Sequence, residues 1–560
     1  MSAQSTISNT PETAQSLSIG LVTLNAKFVH SSLSLRNLRN AARRAGYENV
    51  WLLEFSIGQP VWKQAAEILA RSPSILGFGI YIWNRAQTFE LIERIHKQAP
   101  HIAIAIGGPE VSFDAESQAP CTLLAGEGED KWVEFLNHSA LGLTPSSATL
   151  QEWKTYGNSL PDLLPPYGEE DLPNLKNRIV YLETSRGCPY LCSFCLSALD
   201  KTVRYFEDAD TEKQIELLIQ GGVKQIKFVD RTFNLKPKRM KELMSWLTQF
   251  EDCSFHFEVV GDILSAELNE FFKTVPEGMF QFEIGIQTTN EEVQNAIQRK
   301  QNAQKLLKNL KNLIELDTIH LHCDLIFGLP GENLQDILQS FEEIVSLKPH
   351  ELQLGFLKFL PGSPICKDIE PHGYQYQSTP PYELICHNQL SAEEVVYLKK
   401  FEEAFDLFYN TKRFYFSFQR QMERLKASEI INRLIEVMES RNLFFSALSL
   451  DAQYRIFHDA FEIHASPLEF DLLRLDYLYA QRVYRLPEFL RLPFLGTGKE
   501  KLKAWSGDGK TPLMPFRHNI KIERGVVQTT PSDAYQYYAI EHVTGERGYH
   551  RKPRLRQETP

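Results

Sequence analysis

The sequence predicts an α/β protein made of two parallel sheets followed by a helical region. Three observations carry this. From Leu17, short apolar runs alternate with amphipathic segments of about 10–14 residues. A second alternating series starts near residue 178. After about residue 380 the alternation stops, and long helical segments rich in Phe, Tyr and Leu take over.

The chain has 560 residues, enough for about three or four domains. Hydrophobic residues make up 43% and charged residues 23%, which excludes disorder for the bulk of the chain. No apolar run is long enough to span a membrane, and the polar start MSAQSTISNTPETAQS lacks the plan of a signal peptide. With 60 Lys+Arg against 71 Asp+Glu the net charge is -11, which argues against non-specific nucleic-acid binding. A soluble, multi-domain, cytoplasmic protein is expected, with no membrane attachment.

Residues 1–16 read as a disordered leader. In the first series, LSIGLVTL (17–24), ENVWLLEFS (48–56), SILGFGIYIW (74–83), HIAIAIGG (101–108) and CTLLAGEGE (121–129) are strand candidates. SLRNLRNAARRAG (34–46), VWKQAAEILA (61–70) and RAQTFELIERIHKQ (85–98) are the helices between them. Loops at the strand ends of such a sheet gather where ligands bind. Residues 138–177, with PDLLPPYGEEDLP at 161–173, form a linker packed along a surface. The second series has strand candidates RIVYLETSRGC (178–188), QIKFVD (225–230), SFHFEVV (254–260), MFQFEIGIQ (279–287), IHLHCDLIFGLP (319–330) and ELQLGFLKFLPGSP (351–364). Six strand–helix units suggest a partial barrel of (β/α)6 type rather than the full eight-fold one. Segments 391–412, 417–440, 442–463 and 467–485 read as helices, and the last 50 residues as irregular with a basic tail.

The chemistry concentrates at Arg186-Gly187-Cys188-Pro189-Tyr190-Leu191-Cys192-Ser193-Phe194-Cys195, directly after the first strand of the second series. Three thiolates in one short loop can occupy three corners of a metal centre. Zinc would require a fourth Cys or His at similar reach, and the next candidate is Cys253. A [4Fe-4S] cluster is usually held by four thiolates, so three leave one iron open to an outside ligand. A structural zinc site and unrelated buried cysteines are the alternatives. Cys121, Cys253, Cys323, Cys366 and Cys386 are scattered singly, and eight cysteines are too few for a disulfide scaffold.

The spacing C-x3-C-x2-C, with Phe194 before the last cysteine, resembles the signature of the radical S-adenosyl-L-methionine (SAM) superfamily. The likeness covers about residues 178–370. It implies that Cys188, Cys192 and Cys195 ligate the cluster, whose open iron takes the amino and carboxylate groups of SAM and reduces it to methionine and a 5′-deoxyadenosyl radical. Phe228-Val229-Asp230-Arg231-Thr232-Phe233-Asn234, Glu283-Ile284-Gly285-Ile286-Gln287 and Asp324-Leu325-Ile326-Phe327-Gly328 resemble further family segments in the right order. The resemblance therefore marks Phe194, Asp230 (for the SAM amino group), Glu283, Gly285, Gln287, Asp324 and Gly328 as SAM-binding candidates. Strand-edge packing is the alternative for each.

Residues 17–135 resemble the corrinoid-binding domain fused to many radical SAM enzymes. Leu24-Asn25-Ala26-Lys27-Phe28-Val29-His30-Ser31-Ser32-Leu33, Tyr81-Ile82-Trp83-Asn84 and Gly107-Gly108-Pro109-Glu110 after its strands resemble the loops of the B12-binding radical SAM subgroup with an additional C-terminal domain of unassigned function, a likeness that extends over most of the chain. It implies a Rossmann-like cobalamin-binding domain (17–137), a linker (138–177), a radical SAM core (178–370) forming a partial (β/α)6 TIM-type barrel, and a mainly helical C-terminal domain with a basic tail (371–560). The cobalamin-binding candidates are Asn25, His30 and Ser31; Trp83 and Asn84; Gly107, Gly108, Pro109 and Glu110; and Gly126, Glu127 and Gly128. Glycine loops also suit nucleotides or simple turns. His30, His96, His101 and His138 all lack the Asp two residues earlier that marks a lower axial histidine, so either that cobalt face lacks a protein His, as the resemblance implies, or no cobalamin binds. Methylthiotransferases of similar core carry three more cysteines in this domain, where this chain has only Cys121.

The resemblance implies an enzyme that binds a [4Fe-4S] cluster, SAM and cobalamin and methylates an unactivated carbon. A radical rearrangement or redox reaction without methyl donation is the alternative, and a non-catalytic corrinoid-binding module is another. A small molecule or peptide is the expected substrate, with RNA ranked below it despite Arg517, His518, Lys521, His550, Arg551, Lys552, Arg554 and Arg556. A flavodoxin or ferredoxin would supply electrons. The aromatic runs at 414–418 and 444–445 are expected to pack as core.

Overall fold

The computed structural model describes residues 17–113, 120–142, 165–481, 486–492, 513–523, 526–541 and 554–558. The expected leader, the middle of the linker and tail residues His550, Arg551 and Lys552 lie outside them. The N-terminal sheet comprises β1 (Ile19–Asn25), β2 (Val50–Ser56), β3 (Ile75–Gly79), β4 (Ala103–Gly107) and β5 (Thr122–Leu124), alternating with helices α1 (Leu33–Arg44), α2 (Val61–Leu69), α3 (Arg85–Gln98) and α4 (Glu129–Ala140). Its strands are parallel in the order β2-β1-β3-β4-β5. Strand order reverses at β1 and β3, so the loops leaving their carboxyl ends flank a crevice. Each face of the sheet carries its own apolar cluster, one around Val22, Leu76 and Ile92, the other around Leu21, Tyr47 and Trp132.

The second sheet is also parallel and runs in sequence order: β6 (Ile179–Leu182), then β9, β10, β11, β12 and β13. Between β6 and β9 a two-residue antiparallel ladder pairs β7 (Ser185–Arg186) with β8 (Arg204–Tyr205). The remaining strands are β9 (Gln225–Phe228), β10 (Ser254–Glu258), β11 (Phe280–Gln287), β12 (His320–Phe327) and β13 (Glu351–Phe356). Side chains alternate between faces of a strand. One set, including Phe228, Phe257, Phe280 and Phe282, is buried in the large apolar cluster with the covering helices. The other set is polar: His256, Glu258, Glu283, His322 and Asp324 line the concave side or pair with groups that do.

The two sheets are tied together. His30 bridges to Ile179, whose N–H donates to the Val29 carbonyl at 2.7 Å. Glu54, paired with Arg36 of its own domain, also accepts from Arg178 across the boundary. Residues 165–171 run along α1, where Arg39 grips Asp171 and the Pro166 carbonyl.

The C-terminal region differs from the sequence reading in several places, among them the expected helix 442–463, which is α-helical only over Leu450–Ala460. The segment 417–440 is two helices, Tyr415–Met422 and Ala427–Ser440, because the Glu342 carboxylate accepts from the Ala427 and Ser428 N–H groups and starts a new helix there. The end of the chain is not irregular. Leu513–Glu523, Val526–Glu541 and Arg554–Glu558 form an antiparallel three-stranded sheet. Phe516, Ile520 and Tyr538 of this sheet join the large apolar cluster. Asp471 accepts from the Arg517 and His518 N–H groups, which anchors two of the residues considered for phosphate contact. Phe414, Phe416 and Phe418 are buried, whereas Phe445 is exposed. No helix among the described residues is long and apolar enough to cross a membrane.

Candidate functional site

The loop between β7 and β8 carries the three cysteines. Gly187, at φ +92°, turns the chain where a Cβ would overlap the Thr202 carbonyl, and the Cys188 N–H donates to the Asp200 carbonyl at 2.8 Å. Cys188 and Cys192 are buried and Cys195 is half-buried, and all three line one cavity at the carboxyl ends of β10, β11 and β12. Burial pushes the Cys188 thiol up, and its sulfur lies 3.7 Å from the Thr232 hydroxyl. Arg299 Nη1 donates to Cys192 Sγ at 3.4 Å, and the Ser197 N–H to Cys195 Sγ at 3.4 Å. Among the described residues no three His, Cys, Asp or Glu side chains converge on one ion position. A cluster whose irons take separate thiolates needs no such convergence, so the donor set fits an iron–sulfur cluster.

Tyr190, Phe194, Val259 and Val260 give the same cavity an apolar wall. Its polar groups include Glu283, Gly285, Gln287 and Asp324, all singled out from the sequence. Gln287 has φ +72°, and a Cβ on Gly285 would overlap its amide, so Gly285 is what lets that side chain lie there. Gln287 Oε1, Gln301 Oε1 and Arg299 Nε are buried without a hydrogen-bond partner, which suits a polar guest such as SAM. The sequence reading missed Arg231, Glu258 and Arg299. The alternation of Phe255-His256-Phe257-Glu258 was the available signal, since it puts Glu258 on the polar face, opposite Glu283 in register. Burial pushes the Glu258 carboxyl up to about 7, with Arg231 at 3.6 Å opposing it. His322 is pushed up to about 9: burial works against its charge, and the Asp324 carboxylate 3.3 Å away outweighs it. His256 donates to Glu283 at 2.9 Å and holds that carboxyl below its usual range.

Two SAM candidates stand elsewhere. Asp230 is buried behind the loop, accepting from the Thr184 N–H at 2.8 Å, the Thr184 hydroxyl at 2.7 Å and the Ser185 hydroxyl at 2.6 Å. Its oxygens are taken up by the segment leading into Cys188, away from the cavity wall. Gly328, at φ +81°, packs where a Cβ would overlap the Leu384 side chain, so its small size serves the C-terminal region.

A second, larger cavity of about 820 Å³ opens between the N-terminal sheet and the cysteine loop. Its wall brings together Asn25, His30, Ser31, Trp83, Gly107, Gly108, Pro109, Gly126, Glu127 and Gly128. Gly108, at φ +116°, approaches Ile80 so closely that a Cβ would overlap its carbonyl oxygen. Trp83 stacks on Tyr81 with ring centroids 4.7 Å apart. His30 Nδ1 lies 2.8 Å from the Tyr181 hydroxyl, and burial lowers its pKa. Asn84 and Glu110 are not on the wall. Asn84 is buried, donating to the Leu24 and Gly79 carbonyls, and the Glu110 carboxylate accepts from the Tyr382 hydroxyl of the C-terminal region. Tyr181, Glu183, Arg186, Gly187 and Asp200 supply the opposite wall, and Ser197 and Arg231 line both cavities. A roomy, glycine-walled cradle at a strand-order reversal fits a corrinoid.

Family models match along the chain in order. Residues 19–136 match the B12 binding domain, 182–344 the radical SAM superfamily, and 370–537 a protein family of unknown function, DUF4080. The chain joins a B12-binding domain, a radical SAM domain and a DUF4080 domain. The cobalamin-dependent radical SAM methyltransferase TokK of Streptomyces tokunonensis is 24% identical over 349 residues, 56% of this chain and 51% of TokK. A 2-(S-pantetheinyl)-carbapenam-3-carboxylate methyltransferase of Streptantibioticus cattleyicolor is 23% identical over 55% of this chain and 50% of its own length. The chain thus spans about half the length of these curated relatives. Among solved structures, the cobalamin-dependent SAM radical enzyme OxsB, with aqua-cobalamin and SAM bound, superposes with a TM-score of 0.59 at 14% identity, over 82% of this chain and 78% of OxsB. The radical SAM methyltransferase TsrM of Kitasatospora setae, with cobalamin and a [4Fe-4S] cluster bound, gives 0.52 at 17% identity, over 65% and 78%. These likenesses show a shared fold of the B12-binding and radical SAM domains.

Proposed function

We propose that the chain is a cobalamin-dependent radical SAM enzyme that methylates an unactivated carbon of a small molecule or peptide. The observation that carries the reading is that the three-cysteine cavity and the glycine-walled cavity share Ser197 and Arg231, so two cofactors would face one reaction space. When bound, the cluster with SAM supplies a 5′-deoxyadenosyl radical for hydrogen abstraction, and methylcobalamin supplies the methyl group. On this reading Cys188, Cys192 and Cys195 hold the cluster, and the Arg299 guanidinium donates to the Cys192 sulfur. Glu283, Gly285, Gln287 and Asp324 orient SAM along the ends of β11 and β12. Gly107, Gly108, Gly126 and Gly128 let backbone approach the corrin, while Tyr190, Phe194, Val259 and Val260 exclude water from the radical. TokK and the carbapenam enzyme, both methyltransferases by name, support the reaction class.

A second reading is a redox step in which the substrate loses a proton. It draws on Glu258, whose carboxyl near pH 7 in the cavity could accept one. Product analysis separates the two. Anaerobic protein loaded with iron, sulfide and cobalamin is incubated with SAM, a low-potential reductant (dithionite or reduced flavodoxin) and candidate substrates. S-Adenosylhomocysteine formed alongside 5′-deoxyadenosine, with SAM-derived methyl in the product, supports methyl transfer. Substrate conversion with 5′-deoxyadenosine alone would refute it in favour of the redox reading.

A further inference from the structure

The cysteine loop is closed at its base by the β7–β8 ladder, which sets Arg186 directly opposite Arg204. Like charges facing each other across a ladder repel, and both side chains are largely buried, with 13% and 4% exposure. Each has one counter-charge nearby in the chain, Glu183 for Arg186 at 2.6 Å and Asp200 for Arg204 at 2.6 Å, and the rest come from the B12-binding domain. Glu127 takes Arg204 in a two-pronged pair at 2.6 and 3.1 Å and lies 3.9 Å from Arg186. Glu129 takes Arg186 at 2.7 Å. From Arg204 the chain of contacts continues through the Asp200 carboxylate at 2.6 Å to the Asp200 carbonyl, which holds the Cys188 N–H. Glu127 sits between Gly126 and Gly128, and all three line the larger cavity. Arg204 and Asp200 therefore link Glu127, on the B12-binding side of the larger cavity, to the first cysteine of the other. Moving Glu127 would take its two-pronged partner from the buried Arg204, leaving that guanidinium to Asp200 alone, while Arg186 keeps Glu183 and Glu129; the cost at Arg204 makes the two loops move together.

We propose that Glu127, with Arg186 and Arg204, is a positioning clamp that couples the corrinoid cavity to the cluster loop, so that occupying either site strengthens binding at the other. The proposal rests on cobalamin binding as read above. Coupling between sites is reciprocal and commonly amounts to about 5- to 150-fold in affinity. Full-length protein is dialysed to equilibrium against hydroxocobalamin, with bound corrin read by absorbance, once with the cluster reconstituted and once without. The parent should bind at least about 5-fold tighter with the cluster present, and Glu127→Gln should shrink that ratio below about 2-fold. Arg186→Lys keeps the charge but loses the planar fork, so it should also lower the ratio. Glu267→Gln, at an exposed pair with Lys241, should keep the parent's ratio. A second measurement needs no cobalamin: in cluster-free protein the thiols of Cys188, Cys192 and Cys195 should react several-fold faster with a maleimide in Glu127→Gln than in the parent. Equal affinity with and without cluster in the parent, or a ratio preserved in Glu127→Gln, overturns the clamp. A parent that takes up no cobalamin defeats the cobalamin reading, and the clamp then stands or falls on the thiol rates, an unchanged rate refuting it.

Discussion

Replacing Asp230 separates a SAM ligand from a structural anchor. In Asp230→Ala three donors lose their acceptor: the Thr184 N–H and the hydroxyls of Thr184 and Ser185, all buried. An orphaned buried donor costs about 1–3 kcal/mol. The amide cannot turn away, whereas the hydroxyls can rotate, and Thr184 Oγ1 already accepts from Arg239 at 2.9 Å. The sum is therefore about 3–5 kcal/mol, a shift of roughly 10 °C in the unfolding of a unit this size. The loss falls on the two residues that lead into Arg186, Gly187 and Cys188, so iron retention should drop as well. Calorimetry of the cluster-free full chain and iron content after reconstitution read the two effects. An Asp230→Ala protein with an unchanged midpoint and full iron, but with weaker SAM binding, would refute the anchor and restore the ligand role.

Three further outcomes follow from the same geometry. The Arg299 guanidinium donates to Cys192 Sγ, and such a donor favours the reduced cluster, so Arg299→Leu should lower the reduction potential by roughly 30–60 mV in an EPR-monitored titration, about 1 kcal/mol; an equal or higher potential contradicts this. Glu258 is pushed up to about 7, so the folded chain holds its proton more tightly than the unfolded one; the stability it contributes is present below about pH 4.3 and is lost as pH rises through 7. With 31% of that side chain open to the cavity, Glu258→Gln should be stabilised relative to the parent by about 1 kcal/mol more at pH 8 than at pH 5, and a pH-independent difference in thermal midpoint argues against it. Gly108→Ala forces a side chain into φ +116° and onto the Ile80 carbonyl, so it should cost about 1–3 kcal/mol and weaken cobalamin uptake; normal uptake with an unchanged midpoint would refute the close approach.

Local pattern made much of this fold legible. The five strands of the first sheet and the six of the second stand at the apolar runs, because parallel strands covered on both faces read as near-continuous apolar stretches, as in β1, and those with one polar face alternate, as in β12. The cysteine spacing is equally local. What stayed hidden depends on partners far along the chain. Asp230 occupies a strand-end position that suits a ligand, yet its oxygens belong to Thr184 and Ser185, 46 and 45 residues earlier. Gly328 suits an adenosine contact until Leu384 fills the space. The tail sheet escaped notice because Val526–Glu541 contains Pro531-Ser532-Asp533, which reads as a turn, while its pairing with Leu513–Glu523 shifts register just there, between Phe516 and His518. The clamp around Glu127 needs charges from two domains and no single stretch contains it.

The central claim is that Cys188, Cys192 and Cys195 hold a cluster that cleaves SAM. The most direct test is 5′-deoxyadenosine formation by anaerobically reconstituted protein given SAM and dithionite, compared with the variant carrying Ala at all three positions. The account predicts about four irons per chain and steady 5′-deoxyadenosine in the parent, and neither in the variant. Undiminished 5′-deoxyadenosine from the variant would contradict it.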